Sequence, residues 1–402
     1  MYRMISLFTG AGGLDFGFEA AGFDTVVAVE MDRVCCENLR ANRDWCVLEG
    51  DIRGVESATI LNKADLQPGE ADVLVGGPPC QPFSKSGYWA KGDARRLDDP
   101  RADTLDAYLR VLRDTRPKAF LLENVPGLAF KGKSEGLRRV LDGVAAINHL
   151  HGTRYRVSWR IVNAADYGAP QMRERVVMVG HRDGHEFIFP EPTHGPERVS
   201  RHHTAWDAFG DLPDPSNETG LKMTGKWAEL LPTIPEGQNY LWHTERGGGE
   251  PLFGWRRRYW NFLLKLAKDK PSWTIQAQPG SATGPFHWDN RKLSSRELCR
   301  LQTFPDDVIL KGSRGDIQRL VGNAVPSILS EVIARAMRRQ FFNNPFFKQP
   351  LRLEPPFRDN CPPAEVVKDL PKKFHNLKGN HDAHPGSGRG YSAVKRLAQL
   401  TY

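Results

Sequence analysis

The sequence predicts an α/β protein built on a doubly wound parallel sheet, with an irregular module inserted into it. Three observations carry that prediction. Short β-rich apolar runs alternate with amphipathic helical stretches through residues 1–130, the pattern of strand–helix–strand units. Each run ends in a polar or glycine-rich segment, and in such sheets ligands bind beyond the carboxyl ends of the strands. From about Asp183 to residue 290 the periodicity fades while Pro, Gly, His and Trp become frequent, and a helical pattern then returns.

Residues 4–8 form the first buried run, which leads into Thr9-Gly10-Ala11-Gly12-Gly13 and an amphipathic stretch through Ala21. Residues 25–29 are β-rich and end in Glu30-Met31-Asp32, with a helical pattern following. A third strand end is expected at Gly50-Asp51-Ile52. Residues 71–75 end in Gly76-Gly77-Pro78-Pro79-Cys80, and residues 119–122 in Glu123-Asn124-Val125-Pro126. Gln171-Met172-Arg173-Glu174-Arg175 precedes a strand at 176–180. Helical pattern recurs at 295–303 and 317–342. Residues 345–402 hold 8 of the 29 prolines and read as an extended or partly disordered tail.

Composition narrows the function classes. The 402 residues exceed a typical domain of about 100–150, and 40% hydrophobic content excludes global disorder. No apolar run reaches the roughly 18 residues of a helical membrane span, and the N-terminus lacks the pattern of a signal peptide. The six cysteines form no CxxC pair, so no zinc site or disulfide framework is expected, and the protein reads as cytoplasmic. The histidines, His202-His203 included, show no ligand spacing and read as solvated loop residues; no metal site is expected. The net charge of +8 is unevenly placed. Residues 345–402 carry ten basic and five acidic side chains, and residues 243–275 carry seven and three. The rest of the chain is close to neutral, so these two stretches are where a polyanion is expected to bind.

The strand-end motifs suggest a chemistry. Gly10 and Gly12 let the backbone approach a nucleotide-like ligand, although the spacing is not that of a dinucleotide fold. Glu30 stands where an acid accepts hydrogen bonds from ribose hydroxyls, and Asp51 suits an adenine edge. Together they indicate an adenosine-containing cofactor without a phosphate-loop lysine. Cys80 lies just beyond a buried strand in a proline-stiffened loop, which fixes attack geometry for a nucleophile. Glu123, desolvated, can serve as a proton donor. Arg173 and Arg175 suit phosphate or a carbonyl oxygen.

These residues together resemble the DNA cytosine-5 methyltransferase family over most of residues 4–340. The matching segments are SLFTGAGGLDFGFEAAG (6–22), VEMD (29–32), GDI (50–52), GGPPCQPFS (76–84), FLLENVPGL (120–128), ADYGAPQMRERVVMVG (165–180), RELCRLQTFPD (296–306) and VGNAVP (321–326). The resemblance implies a Rossmann-like, S-adenosylmethionine-dependent sheet. It implies Cys80 as nucleophile toward cytosine carbon 6, Glu123 as donor to ring nitrogen 3, Arg175 on the flipped base and Arg173 in support. It places Phe8, Gly10, Gly12, Glu30, Met31, Asp51, Ile52, Pro78 and Asn323 around the cofactor, with the C-terminal helix folded back beside the first strand. One departure is Asp99-Pro100-Arg101-Ala102-Asp103-Thr104-Leu105, which lacks the family's glycine and spacing and leaves Leu105 doubtful as a cofactor contact.

The family places target recognition between Arg175 and Arg296. The expected organisation is a catalytic domain from 1–185 and 291–344, a β-containing recognition domain from 186–290, and the tail from 345–402. Gln81, Ser84, Arg256, Arg257, Arg258 and Thr274 are the expected DNA contacts, the arginines through phosphate or guanine. The expected partners are double-stranded DNA, bound by a monomer, and a separately acting restriction endonuclease; no membrane is involved. A transfer-RNA cytosine-5 methyltransferase is the second reading, disfavoured by the long 176–295 interval. A catalytically inactive DNA-binding paralogue is the third, disfavoured by intact Cys80, Glu123 and Arg175.

Overall fold

In the computed structural model of the chain, the described residues are 2–79, 103–129, 135–215, 217–254, 259–342 and 349–378. The first half alternates β1 (Tyr2–Leu7), α1 (Gly13–Ala20), β2 (Phe23–Glu30), α2 (Arg33–Asn42), β3 (Val47–Glu49), α3 (Ser57–Ala64), β4 (Val73–Gly76), α4 (Asp103–Thr115) and β5 (Ala119–Asn124). There follow α5 (Glu135–His151), β6 (Arg156–Asn163), β7 (Gln171–Met172) and β8 (Glu174–His181). Seven strands form one sheet in the order β3-β2-β1-β4-β5-β8-β6.

The sheet is parallel as expected except at β8, which runs antiparallel to both β5 and β6. The reason is connection length. Only residues 164–173 separate β6 from β8, and a parallel neighbour needs a crossover of a dozen or more residues. The consequence is functional, because β8 begins at the rim where β5 ends.

Both faces of the sheet are covered. On one, Ile5, Val29, Leu74 and Leu122 pack against Ile60 of α3, Tyr108 of α4 and Val140 of α5. On the other, Met4, Val75, Leu121 and Val179 pack against Phe18 of α1 and the far-end helix α9 (Ser327–Phe341) through Ile328, Ile333 and Met337. Helix α9 lies so close to α1 that a Cβ at Gly17 would sit 2.3 Å from the Ser327 carbonyl oxygen. The C-terminal helix thus folds back beside the first strand and helix.

Asp15 on α1 is fully buried between these layers, its Oδ1 accepting from the Thr25 hydroxyl at 3.3 Å. Burial pushes its carboxyl up to about 7. The folded chain therefore keeps a proton that the unfolded chain releases near pH 4. The resulting stability is full below that pH and is lost as pH rises toward 7. Asp15→Asn is expected to match the wild type in urea unfolding at pH 4–5 and exceed it by roughly 2–4 kcal/mol at pH 8. Superimposable pH–stability curves for the two proteins would count against it.

The inserted stretch is irregular, as its composition indicates. It contains α6 (Ala205–Phe209) and the two-residue β9 (Ser272–Trp273), besides single turns and isolated bridges. Its own core gathers Leu230, Ile234, Tyr240, Phe253, Leu263 and Phe286. Helices α7 (Ser295–Leu301) and α8 (Arg314–Asn323) then lead into α9.

The tail departs from its reading as loose chain. Residues 349–378 are extended but docked along the protein. Arg335 donates to the Gln349 and Pro350 carbonyls at 2.6 and 2.8 Å, and Glu331 accepts from the Arg352 and Leu353 N–H groups. Phe374 is buried within the core of the inserted module. Deleting the tail would remove core packing along with charge, because prolines here forbid helix and strand but not burial.

Candidate active site

Three strand ends build the first half of the site. After β1 the chain turns sharply, with Phe8 at φ 55°, Gly10 at 58° and Gly12 at 85°, the left-handed region that glycine enters without cost. Glu30, closing β2, fixes this turn. Its Oε2 accepts from the Gly10 N–H at 2.8 Å, and its Oε1 accepts from the Met31 and Asp32 N–H groups, each at 2.8 Å. Burial raises its pKa against the pull of these hydrogen bonds. Met31 beside it is 63% exposed, a large apolar side chain left open to a ligand. Beyond β3, Ile52 is buried, while Asp51 pairs with Arg53, which holds its carboxyl below the usual range.

The second half lies where β4, β5 and β8 meet. Register pairs Glu123 with Val177 across β5 and β8, so Arg175, two residues earlier on β8, reaches the same side. Its Nε donates to Glu123 Oε1 at 2.7 Å, and both side chains are about nine-tenths buried. Burial is the larger influence on Glu123 and raises its pKa, although Arg175 and Arg173 oppose it. Gly77 makes the approach possible, since a Cβ there would lie 2.9 Å from Glu123 Oε2. Asn124 next to it donates to the Pro78 carbonyl at 3.1 Å, tying the loop after β4 to the end of β5.

Arg173 stands apart from Arg175. It is 1% exposed and donates to the Ile275 carbonyl at 3.2 Å and the Gly322 carbonyl at 2.8 Å. It thereby joins β7, the segment after β9 and the end of α8, and is a positioning residue. Gln171 and Gln302 extend the same seam: Gln171 Oε1 accepts from the Ile275 N–H, and Gln302 donates to the Val321 and Ala324 carbonyls. Asn323 consequently sits exposed at the end of α8. Asp32, which caps α2, pairs with Arg319 of α8 at 2.6 Å and ties α8 to the end of β2. Arg173→Met is expected to cost about 2–5 kcal/mol in urea unfolding, because it strands two buried carbonyls. Arg173→Lys should recover little, since an ammonium cannot reproduce the guanidinium fork. A wild-type midpoint in either variant would contradict this role.

Thr274 is exposed and donates to the Met172 carbonyl at 2.7 Å, which places the segment after β9 beside Arg173. Leu105 is buried in the core under β4 and β5. Cys80, Gln81, Ser84, Arg256, Arg257 and Arg258 lie outside the described residues. Asn124, Asp32, Arg319, Gln171 and Gln302 went unassigned in the sequence. All but Arg319 stand inside quoted segments (120–128, 29–32, 165–180 and 296–306) that could have flagged them.

The sequence profile of C-5 cytosine-specific DNA methylases matches residues 2–339. The chain belongs to this family. The methyltransferase is 41% identical over 369 residues to the Type II methyltransferase M.SacI of Streptomyces achromogenes, covering 84% of this chain and 93% of that one. It is 44% identical over 235 residues to M.AquIA of Picosynechococcus sp., covering 55% and 93%. Its fold is similar to a protein encoded within an E. coli prophage (TM-score 0.62, 22% identity, 86% and 100% covered) and to DNMT2 of Spodoptera frugiperda (TM-score 0.59, 15% identity, 84% and 99% covered). Among the described residues no helix is long and apolar enough to cross a membrane.

Proposed function

We propose that the methyltransferase modifies carbon 5 of a flipped cytosine in one double-stranded DNA sequence, through a covalent Cys80–carbon 6 bond. It would act in the cytoplasm, as a monomer on DNA, as the protective member of a restriction–modification pair with a separate endonuclease. The observation that carries this reading is the buried Glu123–Arg175 pair, set against Gly77 three residues before Cys80.

Carbon 5 of cytosine is a poor nucleophile. Addition of the Cys80 thiolate to carbon 6 forms an S–C bond and moves the ring electrons toward nitrogen 3, where Glu123 supplies a proton. The ring is then enamine-like and carbon 5 is nucleophilic. After methylation, loss of the carbon-5 proton re-forms the ring double bond, the S–C bond breaks and the thiolate leaves. The nitrogen-3 proton returns to Glu123. Arg175 would meet the flipped base, and turning from Glu123 toward the base would remove an influence that lowers the carboxyl's pKa. The acid would then keep its proton when the base needs it.

S-adenosylmethionine supplies an electrophilic methyl when bound. The strand-end residues fit it: Glu30 uses three acceptor positions on backbone, and a carboxylate offers about four, which leaves one for a ribose hydroxyl. Met31 offers an apolar face, and Phe8, Gly10, Gly12, Asp51, Ile52, Pro78 and Asn323 complete the pocket. Residues 186–290 would supply target recognition. Arg256, Arg257 and Arg258 suit phosphate or guanine. The exposed Trp260 and Trp273 form a contact pair, their rings 5.7 Å apart, and Thr274 follows Trp273 in the chain.

Transfer of tritium from labelled S-adenosylmethionine to duplex DNA and to transfer RNA tests the reading, with bisulfite sequencing of DNA from expressing cells. Labelled DNA with one consistent cytosine context is expected. Labelled RNA alone, or no label, would overturn it.

A further inference from the structure

His203 was expected in solvent and is instead fully buried, stacked on Phe357 of the docked tail at 4.0 Å. His194, also buried, lies beside it with ring centroids 5.1 Å apart. Between the two rings comes Glu354 of the tail. Its Oε1 is 3.0 Å from His194 Nε2 and 3.4 Å from His203 Nε2.

We propose that His194, His203 and Glu354 form a divalent-metal site, of the class that takes zinc, which clips the tail to the stretch leading into the inserted module. Geometry carries the argument. The three donor atoms lie within 4.8 Å of one another. Donors on a tetrahedral zinc with bonds of about 2.0–2.1 Å are about 3.3 Å apart, and the nitrogen–carboxylate separations of 3.0 and 3.4 Å lie on either side of that value. Moreover, His194 Nε2 makes no hydrogen bond in the described structure despite standing 3.0 Å from the carboxylate. The nitrogen and the carboxylate oxygen are within ion-pair range and close enough to share one metal ion.

The surroundings supply one support of the kind that metal-bound imidazoles use. The Nδ1 of His194 is 2.9 Å from the Thr193 hydroxyl, which fixes the ring with Nε2 inward. The Nδ1 of His203 makes no hydrogen bond among the described residues; Asp207 Oδ2 lies 3.9 Å from it, so only the His194 ring has a direct hydrogen-bonded support. Gly168 leaves room for the first ring, because a Cβ there would lie 3.3 Å from His194 Cε1. Glu354 is 28% exposed in its side chain, which gives an ion a way in and a water the fourth position. A metal here explains why two imidazoles and a carboxylate share a nearly dry pocket. It would reinforce the direct contacts by which His194 and His203 already hold the tail at Glu354.

The test uses the untagged full-length chain. Elemental analysis after purification in zinc-supplemented medium should give about one zinc per chain. After chelation, added Co2+ should give saturable tetrahedral absorption bands, and added Zn2+ should restore the melting temperature. Glu354→Gln keeps shape and polarity and should lose the bound zinc. Thr193→Val spares all three ligands and should weaken Zn2+ affinity about 10–100-fold, measured by competition with a chromophoric chelator. Wild-type protein with less than a tenth of an equivalent of metal and no saturable Co2+ spectrum would overturn the proposal. So would a Glu354→Gln variant that binds as wild type does.

Discussion

Cys80→Ser is expected to reduce methyl transfer by on the order of 10^4-fold or more, while duplex DNA still binds in a gel-shift assay. A loss of that size corresponds to about 5.5 kcal/mol of transition-state stabilisation. It follows from the ring chemistry: without addition at carbon 6, carbon 5 has no electron pair to offer. Serine keeps the size and the loop but ionises far less readily than a thiol of pKa about 8.5. A second measurement separates lost chemistry from lost folding. In DNA carrying 5-fluorocytosine at the target, the fluorine cannot leave as the proton does, so the adduct persists. The wild type should then run as a protein–DNA species on a denaturing gel, and Cys80→Ser should not. Activity within tenfold of wild type in the variant would remove the covalent step from the mechanism.

Glu123→Gln is expected to lower the rate by about 10^2–10^4-fold, the usual worth of a positioned proton donor. Its pH dependence is the sharper readout. Burial raises the Glu123 pKa, and the reaction uses the protonated form, so wild-type activity should fall as pH rises through that raised value. Glutamine donates an N–H that does not titrate, so the alkaline limb should flatten in the variant. The acid limb, where the Cys80 thiolate is depleted, should persist in both. If Glu123→Gln keeps the same alkaline limb, nitrogen 3 receives its proton from elsewhere.

The strand-end positions of the candidate site were legible because its residues are local to strand ends. Glu30, Asp51, Gly77 and Glu123 each follow an apolar run within a residue or two, and a parallel sheet brings all such ends to one rim. Two features escaped that logic. The direction of β8 depends on the length of its connection, which period-two patterning does not report. The roles of the two arginines diverged although they are two residues apart, Arg173 between β7 and β8 and Arg175 on β8. Arg175 meets a carboxylate, whereas Arg173 meets carbonyls from Ile275 and Gly322 that no local pattern associates with it.

The sequence by itself determined the fold class, the rim motifs and the family, since each is written in contiguous segments whose spacing the backbone enforces. Tertiary structure alone decided what the long-range partners are. The return of helix α9 is implied by the family resemblance, but a proline-rich tail that pattern reads as extended or partly disordered supplies Phe374 to a core. His203 meets Glu354 across 151 residues. Strand and helix periods report which face a residue takes, over a few residues. Contacts between distant segments arise only when burial of the whole chain selects them.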